Sequence, residues 1–234
     1  MKIIAGNWKM NGSYDLLKTM VDELENVQSE NTVILCVPYT MLGIKSQRVA
    51  IGAQDVSRYT KGAYTGEVSA QMIADSGAKY VIIGHSECRQ YHGDTNSVVR
   101  QKAQAALACG LIPIICVGET MDEKQAGKTM AVIESGVRES IPSDVSTDII
   151  VAYEPRWAIG AGLTPTAAEI AEAHTLIAKT LGEMGLDGTP VLYGASVKGG
   201  NAAEIMSIPN VDCVLVGGAS LKTDDFLPII TSVK

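Results

Sequence analysis

The segment Ile3-Ile4-Ala5-Gly6-Asn7-Trp8-Lys9-Met10-Asn11-Gly12 opens as a short apolar run and turns abruptly polar. An apolar run of this length that breaks into a loop reads as a buried strand. A nucleotide-binding, doubly wound sheet would carry Gly-x-Gly-x-x-Gly directly after it. Asn7-Trp8-Lys9-Met10-Asn11-Gly12 stands there instead, setting an amide and an ammonium just beyond a strand end. Further along, similar Val-, Ile- and Leu-rich runs are predicted as strands at Val33–Val37, Val49–Ala53, Tyr80–Ile83, Leu111–Cys116, Asp148–Tyr153, Val191–Tyr193 and Cys213–Val216. Amphipathic stretches between runs predict helices, for example over Tyr14–Asn26, Asp94–Ala108, Glu119–Glu139 and Thr166–Met184. Thr164-Pro165-Thr166 sets a capping hydroxyl beside a proline suited to a first helical turn. Alternation of strand and helix alone also fits an open sheet. Eight runs, apolar on both faces and lacking the glycine fingerprint, favour an α/β chain closed into a parallel (β/α)8 barrel.

The 234 residues approach the roughly 250 typical of one such barrel, so 1–234 reads as a single domain. With 46% hydrophobic and 19% charged residues the chain can bury a large core and does not belong to the disordered class. A net charge of −7 disfavours nucleic acid and anionic membranes as partners, so any anionic ligand must be held by local groups. No run of about 18 apolar residues suits a membrane span, and polar residues follow Met1 too soon for a leader's apolar core. The expected location is cytoplasmic. Cys36, Cys88, Cys109, Cys116 and Cys213 are scattered, with no CxxC pair and no histidine recognised at ligand spacing. They read as reduced thiols, and neither metal nor cofactor is expected.

Polar and ionisable residues concentrate just after the strands, the face on which barrels build active sites. Lys9 follows the first strand, His85 the fourth, and Glu154 the sixth. A lone lysine is usually solvated and a lone histidine usually structural. A carboxylate directly off a buried strand is different, because desolvation is costly unless a partner is supplied. Together the three suit proton transfer beside a carbonyl: the carboxylate removes a carbon-bound proton, the imidazole polarises the carbonyl, and the ammonium stabilises enediolate charge. Gly194-Ala195-Ser196-Val197-Lys198-Gly199-Gly200 and Gly217-Gly218-Ala219-Ser220 follow the last two strands. Backbone amides there can hold a phosphate without a side-chain cation. The enzymatic alternative is an aldolase forming a Schiff base at Lys9 or Lys198; the alternative from another class is a barrel retired from catalysis, against which three intact reacting groups count.

Asn7-Trp8-Lys9-Met10-Asn11-Gly12, Ala63-Tyr64-Thr65-Gly66-Glu67, Gly84-His85-Ser86-Glu87, Cys116-Val117-Gly118-Glu119, Glu154-Pro155 with Trp157-Ala158-Ile159-Gly160, Tyr193-Gly194-Ala195-Ser196-Val197 and Val216-Gly217-Gly218-Ala219 resemble, in order, the signature segments of the triosephosphate isomerase family. The resemblance implies a TIM barrel that interconverts D-glyceraldehyde 3-phosphate and dihydroxyacetone phosphate through an enediolate, in glycolysis and gluconeogenesis, without cofactor or metal. It implies Glu154 as base, neutral His85 as electrophile, and Lys9 with Asn7 binding substrate, with Glu87 positioning Lys9. Gly160, Ser196, Gly217 and Gly218 would contact the phosphate, Ser86 would hold Glu154 while the site is open, and the segment from Pro155 to about Pro165 would form a lid.

The same resemblance implies a homodimer through the loop Gln54–Glu67, whose Tyr59, Ala63 and Tyr64 are more apolar than a free loop should expose. Several residues depart from the family pattern. Arg156 replaces a usual valine, Ala161 a common threonine, Leu163-Thr164-Pro165 the usual Lys-Thr-Ala, and Ala195 a frequent glycine. Cys88 stands where an arginine would meet Glu67, which places a small and potentially reactive thiol at the expected interface.

Overall fold

Successive side chains of a strand point to opposite faces, and here that alternation sorts the apolar runs into two separate cores. Ala5, Ile34, Cys36, Ile82, Ile114, Cys116, Ile150, Ala152, Leu192, Cys213 and Leu215 form one cluster built only from strand residues. Their neighbours Ile4, Val33, Leu35, Val81, Ile83, Ile115, Val117, Val151 and Tyr153 pack instead with helical residues such as Leu17, Val99, Ile133 and Ile177. The first cluster fills a barrel and the second joins that barrel to its coat of helices.

The computed structural model describes residues 2–145, 148–159 and 163–232. Its strands are β1 (Ile3–Asn7), β2 (Thr32–Cys36), β3 (Val49–Ala53), β4 (Tyr80–Ile83), β5 (Ile112–Val117), β6 (Ile150–Tyr153), β7 (Val191–Tyr193) and β8 (Cys213–Val216). Each pairs in parallel with the next, and β1 pairs with β8 at Ile4↔Val214, Ala5↔Leu215 and Gly6↔Val216. That last pairing closes the ring and excludes the open sheet. The helices are α1 (Tyr14–Leu24), α2 (Ala70–Asp75), α3 (Ser86–Tyr91), α4 (Asn96–Ala108), α5 (Met121–Gln125), α6 (Thr129–Ser140), α7 (Ala167–Glu183), α8 (Ala202–Ser207) and α9 (Thr223–Ile230). Among the described residues, no helix is long and apolar enough to cross a membrane.

Capping explains most helix starts. Ser13, Ser69 and Thr95 each accept a backbone N–H through the side chain, and Thr120 and Thr166 form complete capping boxes with Glu123 and Glu169. Two expectations need correction. Glu119–Glu139 is not one helix but α5 and α6, separated at Gly127, whose φ of 68° places it in the left-handed region that ends a helix. The residue that caps α7 is Thr166, so Pro165 lies before the cap and not within the first turn.

Candidate active site

Strand alternation carries Ile150 and Ala152 into the barrel, and the same parity brings Glu154 inward at the end of β6. The same rule applied to β4 would send His85 outward with Val81 and Ile83. Gly84 interrupts it: at φ 70° its backbone reverses the sense of the chain, and a Cβ there would lie 2.6 Å from Val99. His85 therefore turns inward and ends 3.0 Å from Glu154, Nε2 to Oε1. Arg89 braces this corner, donating to the carbonyls of Gly84 and Cys116 at 2.8 and 2.9 Å.

Glu154 is 2% exposed and accepts the backbone N–H of Ser86 at 2.9 Å through Oε2. Burial pushes its carboxyl pKa up, but the His85 ring, the Ser86 amide and the Lys9 ammonium together hold it below the ordinary carboxylate value. Burial of His85 opposes a charged ring, whereas the Glu154 carboxylate favours one and draws the imidazole pKa upward. A third contact sets the tautomer. His85 caps α3, and its Nδ1 accepts the N–H of Glu87 at 3.2 Å, which an imidazolium cannot do because it has no acceptor lone pair. That capping bond favours a neutral ring with its proton on Nε2 and so opposes the upward pull of Glu154.

Lys9 sits at φ 53°, unusual for a residue with a side chain and worth about 1–2 kcal/mol of backbone strain. Three contacts hold it there. Its N–H donates to Asn7 Oδ1 at 2.9 Å, its carbonyl accepts Gln54 Nε2 at 2.9 Å, and Nζ lies 2.6 Å from Glu87 Oε1. Trp8, fully buried beside it, donates Nε1–H to the Ser220 carbonyl at 2.9 Å and so ties β1 to the turn after β8. That turn is a short 3-10 segment, Gly218–Leu221, with Gly217 at its start. A Cβ at Gly218 would meet nothing within 4 Å, so its backbone faces open space. Asn7, Lys9, His85, Glu154, Ser196, Gly217 and Gly218 all line one cleft of about 360 Å³. Glu87 does not line this cleft but contacts Lys9 and His85, which do, and Gly160 lies outside the described residues.

The cleft belongs to a chain whose relatives are unambiguous. A family model described as "Triosephosphate isomerase" matches residues 2–233. The chain is 47% identical to the triosephosphate isomerase of Ruegeria sp. (strain TM1040), over 99% of this chain and 98% of that one. It is 46% identical to that of Ruegeria pomeroyi, covering 100% and 97%. The crystal structure of triosephosphate isomerase from Bartonella henselae superposes with a TM-score of 0.89 at 37% identity, covering 99% and 98%. The chain belongs to the triosephosphate isomerase family. That family's enzymes are isomerases, and their reaction interconverts dihydroxyacetone phosphate and glyceraldehyde 3-phosphate in glycolysis.

Within this triosephosphate isomerase framework two residues matter that the sequence did not single out by role. Gly118 passes so close to β6 that a Cβ would lie 1.8 Å from the Glu154 carbonyl oxygen. Glu119, 1% exposed, accepts Trp157 Nε1–H at 2.7 Å and the Tyr153 hydroxyl at 3.3 Å, and its carbonyl accepts the Arg156 N–H at 3.0 Å. Burial raises its pKa. It anchors the start of the segment that leads away from Glu154. A buried acid directly after Gly118 was the available signal, but its partners lie more than thirty residues on.

Ser86 holds Glu154 through its backbone N–H, while its buried hydroxyl has no hydrogen-bond partner among the described residues. Two expectations change. The Cys88 thiol is not set up to react: burial, with Asp55 beside it, pushes its pKa up to about 12. The sequence reading found no histidine at ligand spacing, yet Cys88 and His92 stand one helical turn apart, and Asp55 brings a third donor to them.

Proposed function

We propose that this chain carries out the triose phosphate interconversion through Glu154 as the base, with residues 1–234 acting as one catalytic domain. The observation that carries the assignment is the 3.0 Å contact between buried Glu154 and His85 Nε2 in the cleft that Lys9 lines. Glu154, ionised and desolvated, removes the proton from the carbon next to the carbonyl. His85 donates its Nε2 proton to the developing oxyanion and moves protons between the two oxygens of the enediolate. The Lys9 ammonium and the Asn7 amide stabilise the same charge, with Glu87 orienting Lys9. Backbone amides at Gly217 and Gly218, with Ser196 and Gly160, bind the phosphate, which explains how a chain of net charge −7 holds a dianion. An aldolase would need a free Lys9 Nζ to attack a carbonyl, whereas here it is engaged with Glu87 at 2.6 Å.

The functional unit is a cytoplasmic homodimer that excludes nucleic acid and membrane partners. The loop Gln54–Glu67 supports the dimer: Tyr59 and Tyr64 stack at 3.9 Å, and Tyr64 remains 42% exposed. Nearby Met10 is 96% and Tyr91 72% exposed, and Lys9, His85 and Cys88 line a second cleft that a partner's loop can enter.

Glu154→Gln tests the base. The expected result is a fall in kcat of about 10²- to 10⁴-fold with inorganic phosphate still competing at near wild-type concentration, because the phosphate contacts lie on other loops. Retention of more than about a tenth of kcat would exclude Glu154. Sedimentation of the active enzyme at micromolar concentration tests the assembly, and a fully active monomer would refute it.

A further inference from the structure

Cys88 lies in the last turn of α3, and His92 directly follows that helix. Asp55 faces them from the loop after β3, and one donor atom from each of the three lies within 4.8 Å of the other two. We propose that Asp55, Cys88 and His92 bind a divalent cation of the zinc class through three protein ligands, on the wall of the cleft that the partner's loop enters.

The donor set argues for the class. A thiolate, an imidazole and a carboxylate suit zinc and its neighbours, whereas magnesium and calcium take oxygen ligands only. Tetrahedral ligands at about 2.0–2.3 Å from a metal stand about 3.3–3.8 Å apart, so the observed spread must close by roughly an ångström. His92 is exposed and ends its helix, so rotation of its ring can supply that movement.

Charge gives a second, independent reason. Lys102 is 7% exposed, and its Nζ lies 2.8 Å from both Asp55 oxygens and 2.8 Å from Asp94 Oδ2. One ammonium thus faces two carboxylates, leaving a single uncompensated negative charge beside a protonated thiol. A dication that displaces the Cys88 proton to solvent brings the group to neutrality: two carboxylates and a thiolate against an ammonium and the metal. Each Asp55 oxygen keeps a lone pair beyond the one Lys102 uses, so the carboxylate can serve both. Asp94 offsets the repulsion between Lys102 and the metal, and Glu67 on the same cleft adds negative field.

The position gives the site a consequence. Cys88 lies in, and His92 directly after, the helix that His85 caps and whose first turn carries Ser86 and Glu87, and Asp55 follows Gln54, which holds the Lys9 carbonyl. A bound cation would bolt together the two segments that support the catalytic cleft without itself lining it.

The test is anaerobic titration of the reduced, full-length protein with Co²⁺, followed by competition with Zn²⁺. The expected result is a near-ultraviolet thiolate-to-cobalt absorption that saturates at one ion per chain and disappears when zinc is added. Cys88→Ser should abolish the band, and His92→Asn, a change at an exposed position that leaves the fold intact, should weaken cobalt binding by at least about tenfold. No band in the wild type, a band that survives Cys88→Ser, or unchanged affinity in His92→Asn would each overturn the proposal.

Discussion

Replacing Gly118 with alanine would set a Cβ 1.8 Å from the carbonyl oxygen of Glu154 and 2.6 Å from its carbonyl carbon. Ordinary contacts begin near 3.4 Å, so relief requires a displacement of about 1.5 Å, and neither atom belongs to a side chain that can rotate away. The backbone on both sides is committed: Glu154 N–H donates to Val117 at 2.8 Å, and Arg156 N–H donates to Glu119 at 3.0 Å. Moving the strands apart therefore loosens the two bonds that hold the base in place. Overpacking of this kind costs about 1–3 kcal/mol, and an ångström of misplacement at a reacting group costs about 10²-fold in rate. Gly127→Ala is the control, because its φ of 68° imposes about 1–2 kcal/mol of strain while its Cβ would meet no atom within 4 Å. Steady-state isomerase assays in both directions and thermal melts of the two variants separate contact from strain. Gly118→Ala should lose both stability and about two orders of magnitude in kcat, and Gly127→Ala stability alone. A Gly118→Ala enzyme with kcat within threefold of wild type would refute the reasoning.

His85→Ala should raise the pKa of Glu154, because burial pushes that carboxyl up and the imidazole is the largest influence pulling it down. In the wild type the folded pKa lies below the unfolded value, so the ionised carboxylate stabilises the fold above that unfolded value, and the contribution is lost as pH falls through the folded one. NMR titration of Glu154 checks the sign, and an unmoved or lowered value in the variant would contradict it. Lys102→Met should destabilise by about 3 kcal/mol, since half-buried Asp55 and buried Asp94 would face each other without a counter-charge. Its deficit in denaturant melts should shrink on acidification as Asp55, whose carboxyl burial pushes up, protonates, and a deficit independent of pH would point to packing instead. Trp157→Phe should remove the 2.7 Å bond to Glu119 and leave the long Tyr153 contact, costing about 1–3 kcal/mol and changing kcat and KM together; unchanged kinetics would remove Glu119 from the support of the segment that follows Glu154.

What could be read from the chain and what could not divide along a physical line. The strands were legible because a barrel strand is apolar on both faces, and the two cores confirm that period of two residue by residue. Glu154 was legible for the same reason, since its inward direction follows from Ala152 by simple alternation. His85 was legible only by its chemistry. Alternation alone sends it outward, and a single left-handed residue, Gly84, reverses it. Gly127 acts in the same way between α5 and α6, where one helix was expected across a position whose φ breaks it. Neither glycine announces its dihedral in the sequence, because glycine tolerates both hands and only the surrounding packing selects one. The cluster of Asp55, Cys88 and His92 was missed for a different reason: two of its members are a helical turn apart and could have been paired, but the third comes from another βα unit. Local period fixes which side chains share a face. The sign of a few glycine φ angles, and contacts between units distant in sequence, decide which of those faces meet, and at this site they place His85 against Glu154.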